Sequence, residues 1–362
     1  MKPASLLTNL AINDILSRSQ TDGEQIQPDS SSNISVQLVV LEETLGKAIT
    51  NCLAKFQFPF KKIQLKSISV LREGLNSFDI IPILKENLEQ DIQTIVVGSR
   101  STTFKASFDS LQFGEKFFNA SIVQPSAGTG MDKIILDVKR PWLQGLFILA
   151  NQAHLSDPKF LAQSESEGLR SIRLGTVRSE PGWIEPEIRC SELFGLSLNA
   201  LKNSEAPIQT EISSTGLAAD EACQLLYYAG RSERNRITVI HDFLPSTSKS
   251  PIGVNLLATF IWYFLHGLNF RSTHPQTKLT NMKKFSLDDT VQGHHLSFYK
   301  DESEQKWWLK SPFPERILSD RMPLIACDYN DYRMAANEQL LTERLNGWFH
   351  LYENTDLKNQ GL

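Results

Sequence analysis

The sequence has few cysteines and none of the spacings that commonly bind a structural metal. Its 362 residues include four cysteines, Cys52, Cys190, Cys223 and Cys327, which are far apart along the chain. No Cys-x-x-Cys pair and no regular cysteine–histidine spacing is present, which argues against a structural zinc site. The N-terminal segment also lacks the pattern of a secretory signal, so we expect free thiols and a cytoplasmic location.

Basic clusters and membrane-length apolar segments are lacking as well. The net charge is −4 and lysines and arginines form no block, which argues against a nucleic-acid partner. The longest apolar run, Ile252–Leu268, is short for a membrane span and is interrupted by Asn255 and His266. We therefore interpret it as a buried helix and expect neither nucleic acid nor a membrane as partner.

The composition, 41% apolar and 22% charged, suits either one large α/β domain or two smaller ones. Short apolar runs typical of buried strands occur at Val36–Leu41, Ile92–Val97, Ala120–Val123, Lys133–Val138, Ser171–Leu174, Leu193–Leu198 and Ile237–Ile240. Helical spacing is found at Glu43–Phe56, Ile81–Leu88, Pro158–Glu165, Ala218–Ala229 and Val254–Leu268. This alternation predicts an α/β fold with a mostly parallel sheet, whose ligands bind where the strands end.

The two ends of the chain differ in composition from its middle. Residues 1–17 have the spacing of a short amphipathic helix, and Ser17–Asn33 is polar and rich in turn formers, which predicts a linker. We therefore divide the chain into an N-terminal segment 1–33, a single domain 34–352 and a tail 353–362. The N-terminal segment can either bind a partner protein or be a disordered terminus.

Two histidine-containing pairs are candidates for chemistry. His241-Asp242 follows a predicted strand, but adjacent strand residues point to opposite faces, so the two are not expected to share one metal ion. A locally hydrogen-bonded pair is the preferred interpretation. His294-His295 has no third ligand nearby in the sequence, which favours an exposed loop.

Two further motifs resemble catalytic or phosphate-binding patterns only in part. His154-Leu155-Ser156-Asp157 holds the residue types of a catalytic triad, but a triad is assembled from distant segments, so Asp157-Pro158 is interpreted as a helix start. Gly128-Thr129-Gly130 lacks the remaining glycines and the Lys-Ser/Thr ending of a phosphate loop, which favours an ordinary loop.

Three parts of the chain resemble the arginase, agmatinase and formimidoylglutamase family. Ile95–Phe108 is similar to the family's strand and glycine-rich turn, and Phe194–Pro207 to its later strand-end turn. The C-terminal half is similar to a bacterial formimidoylglutamase-like branch. Its matching segments are Leu217–Tyr228, Ile237–Pro245, Asn255–Phe270, Lys306–Pro314 and Pro323–Tyr332. The resemblance implies a single three-layer α/β/α domain with a mostly parallel sheet.

The family's activity is hydrolysis of a guanidino or formimino C–N bond by two manganese ions that activate water. The positions that match family ligands are Ser101, Ser197 and Asn199, and Ser121–Gly130 contains no Asp, Glu or His where the family has several. Of the acids in the later turn only Glu205 remains. The resemblance therefore implies a fold whose metal ligands have been lost.

Two interpretations of the function follow from these observations. The first is a non-catalytic protein with a binding or structural role, no cofactor, and a protein or small-molecule partner. The second is a divergent ureohydrolase that hydrolyses a formimino or guanidino bond with manganese. A residual cleft would be formed by Arg100, Thr102, Glu205, His241 and Asp242. Arg100 in particular can bind an anion or replace the lost metal charge, and the chain can form a homo-oligomer.

Overall fold

The computed structural model describes residues 6–10, 34–111, 118–137, 143–164, 169–272, 279–287, 291–312 and 324–350. The strands are β1 (Leu7–Leu10), β2 (Ile34–Val40), β3 (Ile63–Leu71), β4 (Gln93–Val97), β5 (Phe118–Val123), β6 (Leu143–Asn151), β7 (Leu169–Arg173), β8 (Leu193–Ser197), β9 (Ile237–His241), β10 (Lys283–Ser286), β11 (Ser297–Asp301), β12 (Lys306–Lys310) and β13 (Leu324–Cys327). The α-helices are Glu43–Leu53, Ile81–Glu89, Thr102–Leu111, Met131–Asp137, Pro158–Ser164, Leu174–Ser179, Glu185–Arg189, Ala219–Arg231, Pro251–Asn269 and Tyr329–Glu338. Residues 343–350 are also helical.

The central sheet has nine strands in the order β1-β3-β2-β4-β9-β8-β5-β6-β7. All neighbouring pairs are parallel except β1 and β3, which are antiparallel. The middle strands are buried along their whole length because helices cover both faces of the sheet. Their continuous apolar sequences follow from this double burial.

Alternate residues of each middle strand belong to two separate apolar cores. Ile95 and Val97 of β4 contribute to one core, whereas Val96 between them contributes to the other. The period of two along a strand directs consecutive side chains to opposite faces of the sheet. The structure is thus a helix–sheet–helix sandwich, which confirms the predicted α/β fold class with a mostly parallel sheet.

Several predicted elements differ in the structure. The predicted helix 1–17 is wrong where the chain is described, since Leu7–Leu10 is the edge strand β1 beside β3. The predicted strand Lys133–Val138 is a helix where it is described, within Met131–Asp137, because the buried Asp132 carboxylate accepts N–H groups of Gly128 and Gly130. The predicted linker Ser17–Asn33 and the tail 353–362 lie outside the described residues.

The helices Ala219–Arg231 and Pro251–Asn269 pack together through glycine. Gly230 lies inside the first helix, one residue before its end at Arg231. A Cβ atom at Gly230 would lie 2.1 Å from the carbonyl oxygen of Phe264, so only glycine permits this approach.

Among the described residues, Pro251–Asn269 is also the helix long and apolar enough to cross a membrane, but 61% of its apolar window is buried. It is a core helix.

A second sheet and the C-terminal helices pack on the main sheet through buried charges. Strands β10-β11-β12-β13 form an antiparallel sheet in that order. Arg189 lies above the Trp308 ring of β12 at 4.1 Å and donates to the carbonyl oxygens of Trp307 and Cys327. Arg344 pairs with Glu187 at 2.9 Å and with Asp331. These contacts attach the C-terminal elements to the helix that precedes β8.

Candidate site at the ends of the parallel strands

The carboxyl ends of β2, β4, β9 and β8 meet at one edge of the central sheet, because these strands are parallel neighbours. The chain leaves β2 towards β3 on one side and later returns to β4 on the other. Open α/β sheets bind ligands at such a reversal of strand order. The residues that follow these strands therefore form the first candidate site.

Asp242 is the centre of this site. Its φ angle of 63° ends β9 at His241 and turns the Asp242 side chain back towards the sheet. The Asp242 carboxylate accepts a hydrogen bond from Ser197 Oγ at 2.7 Å and lies 2.9 Å from His241 Nδ1. The two neighbours thus lie in local contact, in line with the preferred interpretation, and they depart from strand alternation because Asp242 does not have strand geometry. We call Ser197, His241 and Asp242 the strand-end cluster.

His241 is almost fully buried at 1% exposure. Its ring lies 5.9 Å from that of Phe104, centre to centre. Neither ring nitrogen has a hydrogen bond of good geometry among the described residues. The short distance from Nδ1 to Asp242 is therefore a close polar contact rather than a directed hydrogen bond.

The pKa of Asp242 is lowered despite its burial. Burial alone raises the pKa of a carboxyl group, but His241, the Ser197 hydroxyl and the backbone N–H of Ser101 stabilise the anion and outweigh this effect. The Asp242 carboxylate is consequently ionised at neutral pH and is held by hydrogen bonds from Ser197 and Ser101 and by the close contact with His241.

Glu42 and Ser99 form a second polar pair at the same edge. Glu42 follows β2, and burial raises the pKa of its carboxyl group, although a hydrogen bond with the Ser99 side chain partly opposes the shift. Ser99 also accepts the backbone N–H of Phe243 at 3.3 Å, which places the pair near the strand-end cluster. Glu42 was not predicted as a site residue from the sequence, although its position just after a buried strand was a usable signal.

Asn199 holds a loop instead of pointing a free ligand atom into the site. Its Oδ1 accepts hydrogen bonds from Thr210 Oγ1 and from the backbone N–H of Glu211, both at 3.0 Å. Asn199 is 7% exposed. The loop 209–211 is therefore attached to the end of β8 by the side chain that replaces an expected ligand.

The remaining predicted site residues do not join the cluster through their side chains. Thr102 donates to Ser77 Oγ at 3.1 Å, and Glu205 accepts the backbone N–H of Ala219 at 3.4 Å. Arg100 is exposed, so it does not fill the space of a lost metal pair. Ser101 contributes its backbone N–H to Asp242.

The other sequence motifs have structural roles. Asp157 accepts the backbone N–H of Lys159 at 2.9 Å and so begins the helix Pro158–Ser164, as predicted. His154 is exposed, and Gly128 lies in a loop whose N–H groups bind Asp132. His294 and His295 follow a turn, with His295 exposed.

Solved structures that are similar to this chain include two formiminoglutamases and an agmatine ureohydrolase. The formiminoglutamase of Trypanosoma cruzi, solved with Mn²⁺, aligns over 71% of this chain and 98% of its own, with a TM-score of 0.58 and 12% identity. The formimidoylglutamase of Bacillus subtilis covers 73% and 95%, with a TM-score of 0.55 and 11% identity. The agmatine ureohydrolase of Thermoplasma volcanium covers 73% and 96%, with a TM-score of 0.52 and 12% identity. No protein-family model and no curated protein matches the sequence.

These alignments decide the architecture. The chain has the arginase-like fold. The resemblance inferred from Ile95–Phe108, Phe194–Pro207 and the C-terminal segments is thus confirmed for the fold. At this level of identity the likeness does not extend to activity, which must be argued from the site.

The arginase-like fold implies two manganese ions at the strand ends, and the side chains found there do not fit them. Oxygen donors with negative charge suit manganese, whereas Ser101, Ser197 and Asn199 are neutral. Asp242 and His241 provide one carboxylate and one imidazole. Within the described ranges, no group of three or more His, Cys, Asp and Glu side chains is placed to hold a metal ion.

We expect Asp242→Asn to destabilise the protein at neutral pH by about 1–3 kcal/mol, because it removes the charge from three charge-assisted contacts. The native pKa is lowered, so this contribution is present above the unfolded-state pKa of about 4 and is lost as the pH falls through the native pKa. Urea unfolding between pH 7 and pH 3 should therefore show the two proteins converging at acid pH.

Asp91→Asn is the matched control, since Asp91 also has a positive φ, 55°, but is 86% exposed. Its effect should stay below about 1 kcal/mol at any pH. A constant difference between wild type and Asp242→Asn from pH 7 to pH 3 would contradict the assigned role of the carboxylate charge.

Proposed function

We propose that this protein is a non-catalytic member of the arginase-like group that acts by binding. The observation that supports this most is the use of the strand-end side chains for internal contacts. Ser197 is bonded to Asp242, and Asn199 is bonded to the loop 209–211. Side chains that form hydrogen bonds within the protein are not available to hold a metal-activated water.

The chemistry of the donor set supports the same conclusion. Hydrolysis of an unactivated C–N bond needs a strong nucleophile, which a pair of metal ions supplies by lowering the pKa of bound water. The strand-end cluster offers one imidazole and one carboxylate, and Glu42 beside it has a raised pKa, so the negative charge is too small to balance two dications. We propose that the chain has lost all the ligands of a family-type manganese centre and that the arginase-like fold is retained for binding.

Release of ammonia or formamide from formiminoglutamate tests this proposal. Protein purified with manganese present is expected to give no release above the manganese-only blank. The formiminoglutamase of Trypanosoma cruzi, assayed alongside, should be active. Turnover by this chain that disappears in Asp242→Asn would overturn the proposal, since Asp242 would then belong to a working site.

A divergent hydrolase is the second candidate, and one observation favours it. Glu42, with its raised pKa, lies near an ionised Asp242 at the same sheet edge. Carboxyl groups with separated pKa values are typical of general acid and base pairs. A metal-free hydrolase differs here from the manganese-dependent ureohydrolase inferred from sequence, because it requires activity without manganese, which the same assay measures after chelation.

The related branch, the cellular location and the partner of the chain are part of the same proposal. We place the chain near the bacterial formimidoylglutamase-like branch, on the strength of the C-terminal segments. We expect it to act in the cytoplasm with a small molecule or another protein as its partner. Homo-oligomer formation is expected to be independent of the strand-end cluster.

A further inference from the structure

A cavity of about 530 Å³ lies at the other end of the central sheet from the strand-end cluster. This volume is within the range of about 300–1,000 Å³ that is typical of small-molecule sites. Arg189 and Arg231 line the cavity and end the two helices that lead into β8 and β9. It is therefore near the amino ends of these strands. We call it the β12 cavity, because Lys306 and Trp307 of β12 form one wall.

The β12 cavity has cationic side chains that are held in place. Glu304 accepts a hydrogen bond from Arg231 Nη2 at 3.2 Å and lies 2.6 Å from Lys306 Nζ. Lys306 also contacts Glu233 at 2.9 Å and is only 7% exposed. The Arg231 side chain is 25% exposed and is held in place by Glu304. A fixed, partly exposed guanidinium is suited to bind an anion.

The residues that line the β12 cavity include one more cation than carboxylates, although Glu233 outside the lining also pairs with Lys306 at 2.9 Å. Four cations, Arg189, Arg231, Lys300 and Lys306, face three carboxylates, Glu185, Glu304 and Asp328. Glu185 is paired with Arg189 at 3.0 Å, and Asp328 with Arg344 at 3.2 Å. Each acid is thus already engaged, whereas Lys300 lies 5.6 Å from the Trp307 ring centre.

Aromatic rings form the other walls. Tyr329 is 58% exposed at the surface, and its ring centre is 5.7 Å from that of Trp307. Tyr228 accepts a hydrogen bond from Gln224 at 2.7 Å, so its own proton remains available to a ligand. Burial raises the pKa of Tyr228, which keeps the hydroxyl protonated at neutral pH. Flat rings beside cationic donors are suited to a planar ligand.

The hairpin that carries Glu304 is rigid. Asp301 Oδ1 accepts the backbone N–H groups of Ser303 at 2.9 Å and of Glu304 at 3.2 Å. Gln305 completes the turn with a φ of 57°. A site that is fixed before binding loses less entropy when the ligand enters.

We propose that the β12 cavity binds a small planar aromatic anion, with its ring against Trp307 and Tyr329 and its carboxylate or phosphate on Arg231 and Lys300. The site does not depend on the strand-end cluster, so it goes beyond the proposed function. A failure here leaves the manganese and hydrolysis results unaffected, and the reverse also holds.

Isothermal titration calorimetry with adenosine 5′-monophosphate and indole-3-acetate tests the proposal and distinguishes a phosphate from a carboxylate. Saturable one-to-one binding of at least one of them is expected. Arg231→Met and Lys300→Met should each weaken it about tenfold, the loss expected for one charge-assisted hydrogen bond. Adenosine and inorganic phosphate, which carry the ring and the charge separately, should bind at least about tenfold more weakly than the combined probe.

Lys310→Met is the matched control, since Lys310 is an exposed lysine on β12, the strand beside the one that carries Lys300, and does not line the cavity. It should bind like wild type. Circular dichroism should show that Arg231→Met and Lys300→Met remain folded, and Lys300→Met removes no ion pair described here. The proposal is overturned if neither probe saturates, if adenosine binds as tightly as its monophosphate, or if a folded Lys300→Met variant keeps full affinity.

Discussion

Replacement of Arg344 by methionine is expected to lower the free energy of unfolding by about 3–5 kcal/mol, because it leaves the buried Asp331 carboxylate without its cation, whereas Glu187 keeps its contact with Arg170 at 2.8 Å. Arg344 Nε donates to Glu187 at 2.9 Å, and its guanidinium also pairs with Asp331 and donates to the carbonyl oxygen of Trp183. Arg344, Glu187 and Asp331 are each no more than 1% exposed. Their charges therefore cannot be stabilised by water when Arg344 is removed.

The contact also explains why so large an effect should arise far from the candidate site. Glu187 lies in the helix before β8, and Asp331 lies in the helix after β13. The Arg344 guanidinium is above the Trp183 ring at 4.8 Å. One side chain thus connects the second sheet and the C-terminal helices to the main domain.

Urea unfolding of Arg344→Met, followed by circular dichroism, measures the effect. Arg333→Met is the control, since Arg333 and Glu338 are 45% and 43% exposed and lie 3.5 Å apart. Its cost should be below about 1 kcal/mol. The double variant with Asp331→Asn should lose less than the sum of the two single variants, because they remove the same contact. Equal costs for Arg344→Met and Arg333→Met would contradict the account.

Gly230→Ala is expected to cost about 3 kcal/mol through overpacking between two helices. The added Cβ would lie 2.1 Å from the Phe264 carbonyl oxygen and 2.8 Å from the Leu268 nitrogen. Both are backbone atoms of the partner helix, so no rotamer change can relieve the contact. The helix Ala219–Arg231 must move away, and Tyr228 and Arg231 of the β12 cavity must move with it.

Gly175→Ala gives the matched control for this prediction. Gly175 also lies in a helix, but a Cβ atom there would have no heavy atom within 4 Å. Alanine favours helix over glycine, so this variant should be neutral or more stable by up to about 1 kcal/mol. The midpoint temperature of thermal unfolding should therefore fall for Gly230→Ala and stay unchanged or rise for Gly175→Ala. A neutral Gly230→Ala would show that the helices are not in close contact.

The framework was predictable from sequence where burial is complete. The runs Ile92–Val97, Leu193–Leu198 and Ile237–Ile240 are continuous and apolar because both faces of β4, β8 and β9 are covered. The edge strand β1 was not predictable from sequence. Its half-buried and exposed residues do not alternate regularly, and its partner strand β3 lies far away in the sequence. The strand β6 was also not assigned from the sequence.

The details of the site depended on geometry that composition does not encode. A positive φ at Asp242 brings it to His241, and the strand period by itself predicts the opposite. The raised pKa of Glu42 depends on burial in the folded chain. The β12 cavity combines Arg189, Arg231 and Lys306 from three segments, none of which has a recognisable motif.

The metal content of the purified protein tests the central claim most directly. The protein is produced with manganese in the medium, dialysed against manganese-free buffer and measured by metal mass spectrometry, with the Trypanosoma cruzi formiminoglutamase treated in the same way. The account predicts that this chain retains only traces of manganese, because its strand ends present Ser101, Ser197 and Asn199 instead of charged ligands. Stoichiometric manganese that remains bound after dialysis would contradict it.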